Sequence, residues 1–443
     1  MTSKHEHPTQ LSTRLIDTGA IDTPPNRITQ ELSELADGVA IVESFSHVVA
    51  VDTGDGLVTF DTSGALTGNQ VVESLRTWSD EPIHTIVYTH GHLDHVGGSR
   101  SFASEAEAKD RPAPRVVGHE RIVDRFERYE MTGRFNLTIN ARQFGGAARA
   151  AAEQLDRSFV PEGTLVPTVT YSTQLTDRIG NVDFEFNYCK GETDDHTWTW
   201  IPQHRMICAG DQFIWNFPNC GNPQKVQRYP IEWAESLRAM AAKDPELFVP
   251  AHGLPIEGRD RIVSCLEIVA DTLETLVTAV VDAMNAGAPL DEIIQGVSVP
   301  AERLELPFLR PLYDEPEFVI RNIWRLFGGW YDGNPAHLKP PADAELGREV
   351  AALSGGADAL ADRAVALSGS GDHRLACQLI EFAAVAEPES HSIHEARAAI
   401  YLARRGAETS LMAKGIFKSA AADSEMVLTG EVPAVSMVLG IGE

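Results

Sequence analysis

The densest chemistry in the chain is Thr89-His90-Gly91-His92-Leu93-Asp94-His95-Val96-Gly97-Gly98. Three imidazoles and one carboxylate fall within the six residues from His90 to His95. At that spacing they cannot share one face of a helix or strand, so a loop must turn them toward a common centre. Neutral imidazole nitrogen suits zinc or iron, and a carboxylate among imidazoles suits a second, harder ion. A lone histidine there would read as a solvated polar loop. Four candidate ligands followed by two glycines read as a metal site. No other chemistry competes, because the sequence has neither a Gly-x-Ser-x-Gly elbow nor a Gly-Lys dipeptide for a phosphate loop.

The loop needs a scaffold, and the flanking sequence supplies one. Ile83–Tyr88, directly before it, is a largely β-branched run of the kind that forms a buried strand. Upstream, Val39–Ser44, His47–Val51 and Gly56–Phe60 are short apolar runs, the last two flanking the hairpin signal Thr53-Gly54-Asp55-Gly56. Asn69–Trp78 has helical spacing, and strand, helix, strand predicts a layered α/β core. Residues 100–165, with Ala147–Leu155 among them, read as a polar elaboration. Strand signals resume at Thr168–Leu175, Val182–Tyr188, Thr197–Ile201, Arg205–Ala209 and Leu247–Val249. Beyond Gly258 the pattern is helical, with long segments at Ile262–Asn285 and Phe318–Phe327. Residues 340–355, rich in Pro, Ala and Gly, read as a boundary. After it, Ala357–Leu367, Asp372–Ala386, Ser392–Arg404 and Glu408–Ala422 predict two helical hairpins. The expected division is an N-terminal arm (1–30), a catalytic domain (31–258), a helical linker (259–340) and a helical packing or dimerisation domain (341–443).

The His-x-His-x-Asp-His motif resembles that of the metallo-β-lactamase superfamily, which implies an αββα sandwich and a metal-dependent hydrolase, here followed by an all-α region. The resemblance spans Gly38 to Gly258. It implies that Asp61, just past Leu57–Phe60, buttresses the metal loop. It also implies three further ligands at later strand ends: Glu192 after Tyr188-Cys-Lys-Gly191, Asp211 after Ile207-Cys-Ala-Gly210, and His252 in Phe248-Val-Pro-Ala-His252-Gly253. Most superfamily members carry histidine where Glu192 stands, whereas the alkylsulfatases carry glutamate. Trp324-Arg-Leu-Phe-Gly-Gly-Trp330-Tyr-Asp-Gly-Asn-Pro335 and Gly371-Asp-His-Arg-Leu-Ala376 also resemble the tract before, and the repeat within, the alkylsulfatase dimerisation domain.

The resemblance implies two divalent ions, zinc in the first place with manganese or iron as competitors. His90, His92, Glu192 and a bridging Asp211 would hold one, and Asp94, His95, His252 and Asp211 the other. The ions would lower the pKa of a bridging water for attack on an alkyl sulfate ester. The alternative is another ester, a lactone or a phosphoester on the same centre. Two features depart from the subgroup. The sequence ends at Glu443 without the sterol-carrier-like domain, and Asp211 is followed by Gln212–Pro223, not by a His- and Arg-rich tract. Three carboxylates against two divalent ions and a hydroxide leave the centre neutral, so an anionic ester needs nearby donors. Arg228 is the leading catalytic candidate for that contact, with Arg142, Asn140 and Tyr129 behind it. Asp94 and His196 complete the catalytic set. His196 reads either as a general acid for the leaving oxygen or as a hydrogen-bonded structural histidine.

Composition bounds the rest. With 37 Lys and Arg against 64 Asp and Glu, the net charge is −27, which argues against nucleic-acid or anionic-membrane partners. Five scattered cysteines without Cys-x-x-Cys spacing read as reduced thiols of a cytoplasmic protein. The N-terminus shows no apolar signal-peptide core. Ile262–Met284 is interrupted by Glu267, Asp271, Glu274 and Asp282, so it does not span a bilayer. The expected partners are a small ester substrate and a second copy of the chain.

Overall fold

Alternation along the strands builds two sheets whose inner faces meet. The computed structural model describes residues 5–146 and 158–431, so the Ala147–Leu155 stretch lies outside the described residues. The chain forms two units, Met1–Met131 with Val160–Trp330, and Thr132–Phe159 with Tyr331–Glu443.

In the first unit, seven strands pair in chain order: β1 (Leu32–Ala36), β2 (Val39–Val42), β3 (Val48–Asp52), β4 (Leu57–Phe60), β5 (Ile83–Val87), β6 (Arg115–His119) and β7 (Val169–Tyr171). The second sheet holds β8 (Gln174–Ile179), β9 (Val182–Cys189), β10 (His196–Ile201), β11 (Met206–Gly210), β12 (Leu247–Pro250) and β13 (Ile256–Glu257), in the order β13-β12-β11-β10-β9-β8. Val39, Ile41, Val49, Val51, Val58 and Phe60 from one sheet pack against Phe184, Phe186, Ile201, Met206 and Val249 from the other. The alternate residues Val42, Val48, Ala50, Leu57 and Ile86 point outward onto helices at Gly68–Arg76, Ser99–Ala108 and Arg121–Met131. Covered on both faces, these strands read as continuous apolar runs. The result is an αββα sandwich.

Helices at Pro8–Thr18, Pro230–Ala241, Arg259–Asn285 and Pro316–Gly328 cover the outer face of the second sheet. Three of them fall outside the expected catalytic domain. The supposed arm is a helix opened by Pro8 and closed by left-handed Gly19. It buries Leu11 and Leu15 completely, each contributing about 1.5–3 kcal/mol. The supposed linker supplies Leu266, Leu273, Val319 and Ile323 to the same core. Residues 100–165 are likewise more than an elaboration, because β6 lies between β5 and β7 in the first sheet.

The second unit is helical. Helices at Ala357–Gly369, His373–Ala386, His391–Ala407 and Leu411–Thr429 match the four predicted stretches, and the supposed boundary contains a fifth, Asp343–Ser354. Ala361, Ala364, Ala376, Ala383, Ile380 and Ile393 form its core. The helix Gly133–Gln143 belongs to this unit and lies directly on Leu411–Thr429. Gly415 permits that approach, since a Cβ there would sit 1.6 Å from the Gln143 carbonyl oxygen. No helix of the described residues is long and apolar enough to cross a membrane.

Candidate metal centre

Strand direction decides where the polar residues collect. β4, β5 and β6 are parallel, so their carboxyl ends share one edge. β9 and β11 both run antiparallel to β10, and β12 runs parallel to β11. The carboxyl ends of β9, β11 and β12 therefore share an edge with the start of β10. Carboxyl ends of strands are where open α/β sheets present ligands. Asp61 follows β4, the His90–His95 loop follows β5, Glu192 follows β9, Asp211 follows β11 and His252 lies two residues past β12.

Two groups of potential ligands form there, His90, His92, Glu192 and Asp211, and Asp94, His95 and His252. Within each group the ligand atoms lie within 4.8 Å of one another. The Asp211 carboxylate lies between the groups. Its Oδ2 is 3.9 Å from His90 Nε2 and 3.5 Å from His95 Nε2, and its Oδ1 is 3.6 Å from His252 Nε2. Asp94 Oδ2 lies 3.4 Å from His95 Nε2 and 3.3 Å from His252 Nε2. His95 Nε2, Glu192 Oε2 and Asp211 Oδ1 are buried without a hydrogen-bond partner. Buried polar atoms of this kind, converging on one place, are the donor set that divalent ions require.

Electrostatics agree with that use. Burial, reinforced by neighbouring positive charge, pushes His90 and His92 well below the ordinary imidazole range, so their lone pairs are available. Burial also opposes charge on His95, but Asp211, Asp94 and Asp61 outweigh it and hold that ring well above its usual value. Against the same burial, His95 and His252 hold Asp211 ionised. Carboxylates and imidazoles at this density hold one another's protons, and divalent ions would replace those protons.

Residues behind the ligand atoms fix their direction. Asp61 Oδ2 accepts from His95 Nδ1 at 2.7 Å and from the Thr89 hydroxyl at 2.8 Å, while its Oδ1 accepts from the Thr89 N–H at 2.8 Å. A carboxylate on the far nitrogen sets the tautomer of a ligating histidine. Asp61→Asn is accordingly expected to weaken metal binding by about 10–100-fold with the fold intact, read by competition with a chelator. Unchanged affinity would reduce Asp61 to a loop brace.

Arg125, Asp195 and Asn219 belong to the centre and escape sequence reading. Arg125 donates to Asp195 through Nε (2.6 Å) and Nη2 (2.9 Å), and to Asp194 through Nη2 (2.6 Å). Asp195 Oδ2 also accepts the Gly91 N–H at 3.1 Å, which ties the pair to the middle of the His-rich loop. The only hint in the sequence is the Asp194-Asp195 doublet beside Glu192. Arg125 itself falls within residues 100–165, which read only as a polar elaboration.

Two of the expected catalytic residues, His196 and Arg228, have buried protein partners. His196 Nε2 accepts the Asp211 N–H at 3.0 Å, and its Nδ1 faces Cys189 Sγ at 3.6 Å. Burial pushes this ring down to about 4, so it is neutral and offers no proton at Nε2. This contact is the one the hydrogen-bonded structural reading of His196 requires. Gly210, at φ +55°, makes the contact possible, because a Cβ there would lie 2.7 Å from the His196 ring. Arg228 faces Glu192, not open space, with Nη1 2.7 Å from Oε1. Among the other anion-contact candidates, Tyr129 packs beside Arg125, its ring centroid 6.0 Å from the guanidinium carbon. Asn140 and Arg142 lie on the Gly133–Gln143 helix of the second unit.

Residues 41–252 match the metallo-beta-lactamase superfamily, and residues 289–426 match the alkyl sulfatase dimerisation family. A linear primary-alkylsulfatase from Pseudomonas sp. (strain ATCC 19151) is 27% identical over 347 residues, 75% of this chain and 65% of the relative. The 2,4-dinitroanisole O-demethylase subunit alpha of Nocardioides sp. (strain JS1661) is 23% identical over 319 residues, 67% of this chain and 77% of the relative. The solved structure of a stereoselective inverting sec-alkylsulfatase from Pseudomonas sp. superimposes with a TM-score of 0.80 over 91% of this chain and 66% of that one. At 22% identity, that likeness shows the fold. The chain spans just under two thirds of the first relative's length.

Proposed function

From a chain that joins a metallo-beta-lactamase superfamily domain to an alkylsulfatase dimerisation domain, and that is homologous to Pseudomonas alkylsulfatases, we propose a binuclear metal hydrolase cleaving alkyl sulfate esters. The observation that carries it is the Asp211 carboxylate, 3.5 Å from His95 and 3.6 Å from His252 on one side and 3.9 Å from His90 on the other. We assign His90, His92, Glu192 and Asp211 to one ion, and Asp94, His95, His252 and Asp211 to the second. Two divalent ions bound there would activate a water and neutralise charge developing on the ester. Asp61 and His196 orient His95 and Asp211 from behind. Asp94, 30% exposed at its side chain, is the carboxylate with most access to solvent and is assigned to orient the attacking water. Zinc is the expected ion. The dimerisation match supports a homodimer, and the free cysteines, four buried and one half-buried, support a reducing cytoplasmic setting.

A second reading, hydrolysis of an aryl ether, is favoured by the demethylase subunit, whose length the chain spans more fully than that of the alkylsulfatase. One experiment separates the readings. The purified protein is expected to carry close to two divalent ions per chain, to run as a dimer, and to release sulfate from a medium-chain alkyl sulfate. A panel adds a phosphate ester, a lactone and an aryl methyl ether. Turnover confined to any of those three displaces the sulfatase reading, and a protein that takes up no ion removes the hydrolase reading altogether.

A further inference from the structure

We propose that Arg228, with Asn219, is a positioning residue for Glu192, and that its charge cancels the one that glutamate brings to the centre in place of histidine. The inference rests on Glu192 being a metal ligand. Glu192 is only 4% exposed, and its Oε1 accepts from Arg228 Nη1 at 2.7 Å and from Asn219 Nδ2 at 2.5 Å. The same Nη1 also donates to the Asn219 carbonyl, which joins the three residues in one ring of contacts. Oε2 is buried without a hydrogen-bond partner. One oxygen is thus held by donors and the other is left for an ion, which fixes the direction of the carboxylate.

Arg228 is placed for this use and not for reaching a substrate. Its side chain is 3% exposed. Its backbone is held from the helix Pro316–Gly328, where Asn322 Nδ2 donates to the Arg228 carbonyl at 3.0 Å and Asn322 Oδ1 accepts the Arg228 N–H at 3.4 Å. A buried carboxylate without a cation is costly, and a buried guanidinium is equally so. Together the two are neutral, as an imidazole is. Counting the pair as one unit, the centre is one charge more positive than its ligands alone indicate. That equals the charge of a centre with histidine at this position, so Glu192 carries no electrostatic penalty for an anionic ester.

The test is a zinc titration against a competing chelator on the full chain and three variants, Arg228→Met, Glu192→His and the double variant. Each single change is expected to weaken one of the two zinc sites by about 10–100-fold, the usual effect of losing a partner of a ligand. Glu192→His does so because Arg228 then faces a neutral ring and an ion. The double variant exchanges one neutral unit for another and is expected to recover to within about threefold of the parent, a rescue that a purely structural arginine would not produce. Losses that multiply in the double variant overturn the proposal. Arg228→Met that binds zinc like the parent and only raises KM for the sulfate ester also overturns it, in favour of a direct anion contact. If Arg228→Met does not fold, recovery of folding and zinc uptake in the double variant carries the same reading, and a double variant that also fails overturns it. A parent that takes up no zinc defeats the ligand assignment and this inference together. Normal parent uptake with an unaffected Arg228→Met defeats the inference alone.

Discussion

Asp211→Ala is expected to remove both ions together and to lower turnover on the order of 1,000-fold or more. The Asp211 carboxylate lies within 4 Å of ring nitrogens from both sets, with Oδ2 toward His90 and His95 and Oδ1 toward His252. Without it, the first set keeps His90, His92 and Glu192 and the second keeps Asp94, His95 and His252, three ligands each with nothing between them. Loss of the several kcal/mol that two ions contribute to charge stabilisation corresponds, at about 1.4 kcal/mol per factor of ten, to this change in rate. Metal analysis after gel filtration should fall from close to two ions per chain to well below one. His252→Ala is the control, because it touches one set and should leave about one ion. Retention of both ions in Asp211→Ala would take that residue out of the bridge.

Arg125→Met is expected to be the most destabilising single change outside the ligands. Arg125 is 3% exposed and Asp195 fully buried, and two hydrogen bonds join them. Removing the cation leaves an uncompensated carboxylate in the interior, a change of about 3–5 kcal/mol. For a unit of this size, that corresponds to roughly 6–20 °C in Tm, at about 2–4 °C per kcal/mol. The Gly91 N–H contact links the loss to the His-rich loop, so metal affinity should fall with stability. Adding Asp195→Asn removes the stranded charge while keeping an acceptor for Gly91, and should restore part of the melting temperature. A Tm within a degree or two of the parent for Arg125→Met would show that the pair contributes no more than a surface ion pair does.

Residue types at short spacing told most of the chemistry. Four candidate ligands between His90 and His95 specify a metal loop because adjacent residues share a location whatever the rest of the chain does. The β-branched run before them and the hairpin at Thr53–Gly56 specify strands for the same local reason. Glu192, Asp211 and His252 come from the resemblance to the metallo-β-lactamase superfamily, which implies ligands at later strand ends. They meet the loop because the carboxyl ends of β9, β11 and β12 share one edge of their sheet, where the two ligand groups form.

What each long polar side chain faces was decided only in three dimensions. Arg228 reads from the sequence as an anion contact, and its place against Glu192, 36 residues away, comes only from the fold and the Asn322 contacts. Arg125 and Asp195 are 70 residues apart, and nothing local marks either one for the other. The direction of His196 depends on the left-handed turn at Gly210, which brings the Asp211 N–H onto its ring. The first helix reads as a polar arm because Leu11 and Leu15 are its main apolar anchors, and only the open outer face of the second sheet gives them a place to be buried. Local spacing sets which chemistry is available. Pairing of buried charge needs a partner that only the tertiary fold brings within hydrogen-bond distance, and the cost of leaving that charge unpaired is what holds the arrangement in one form.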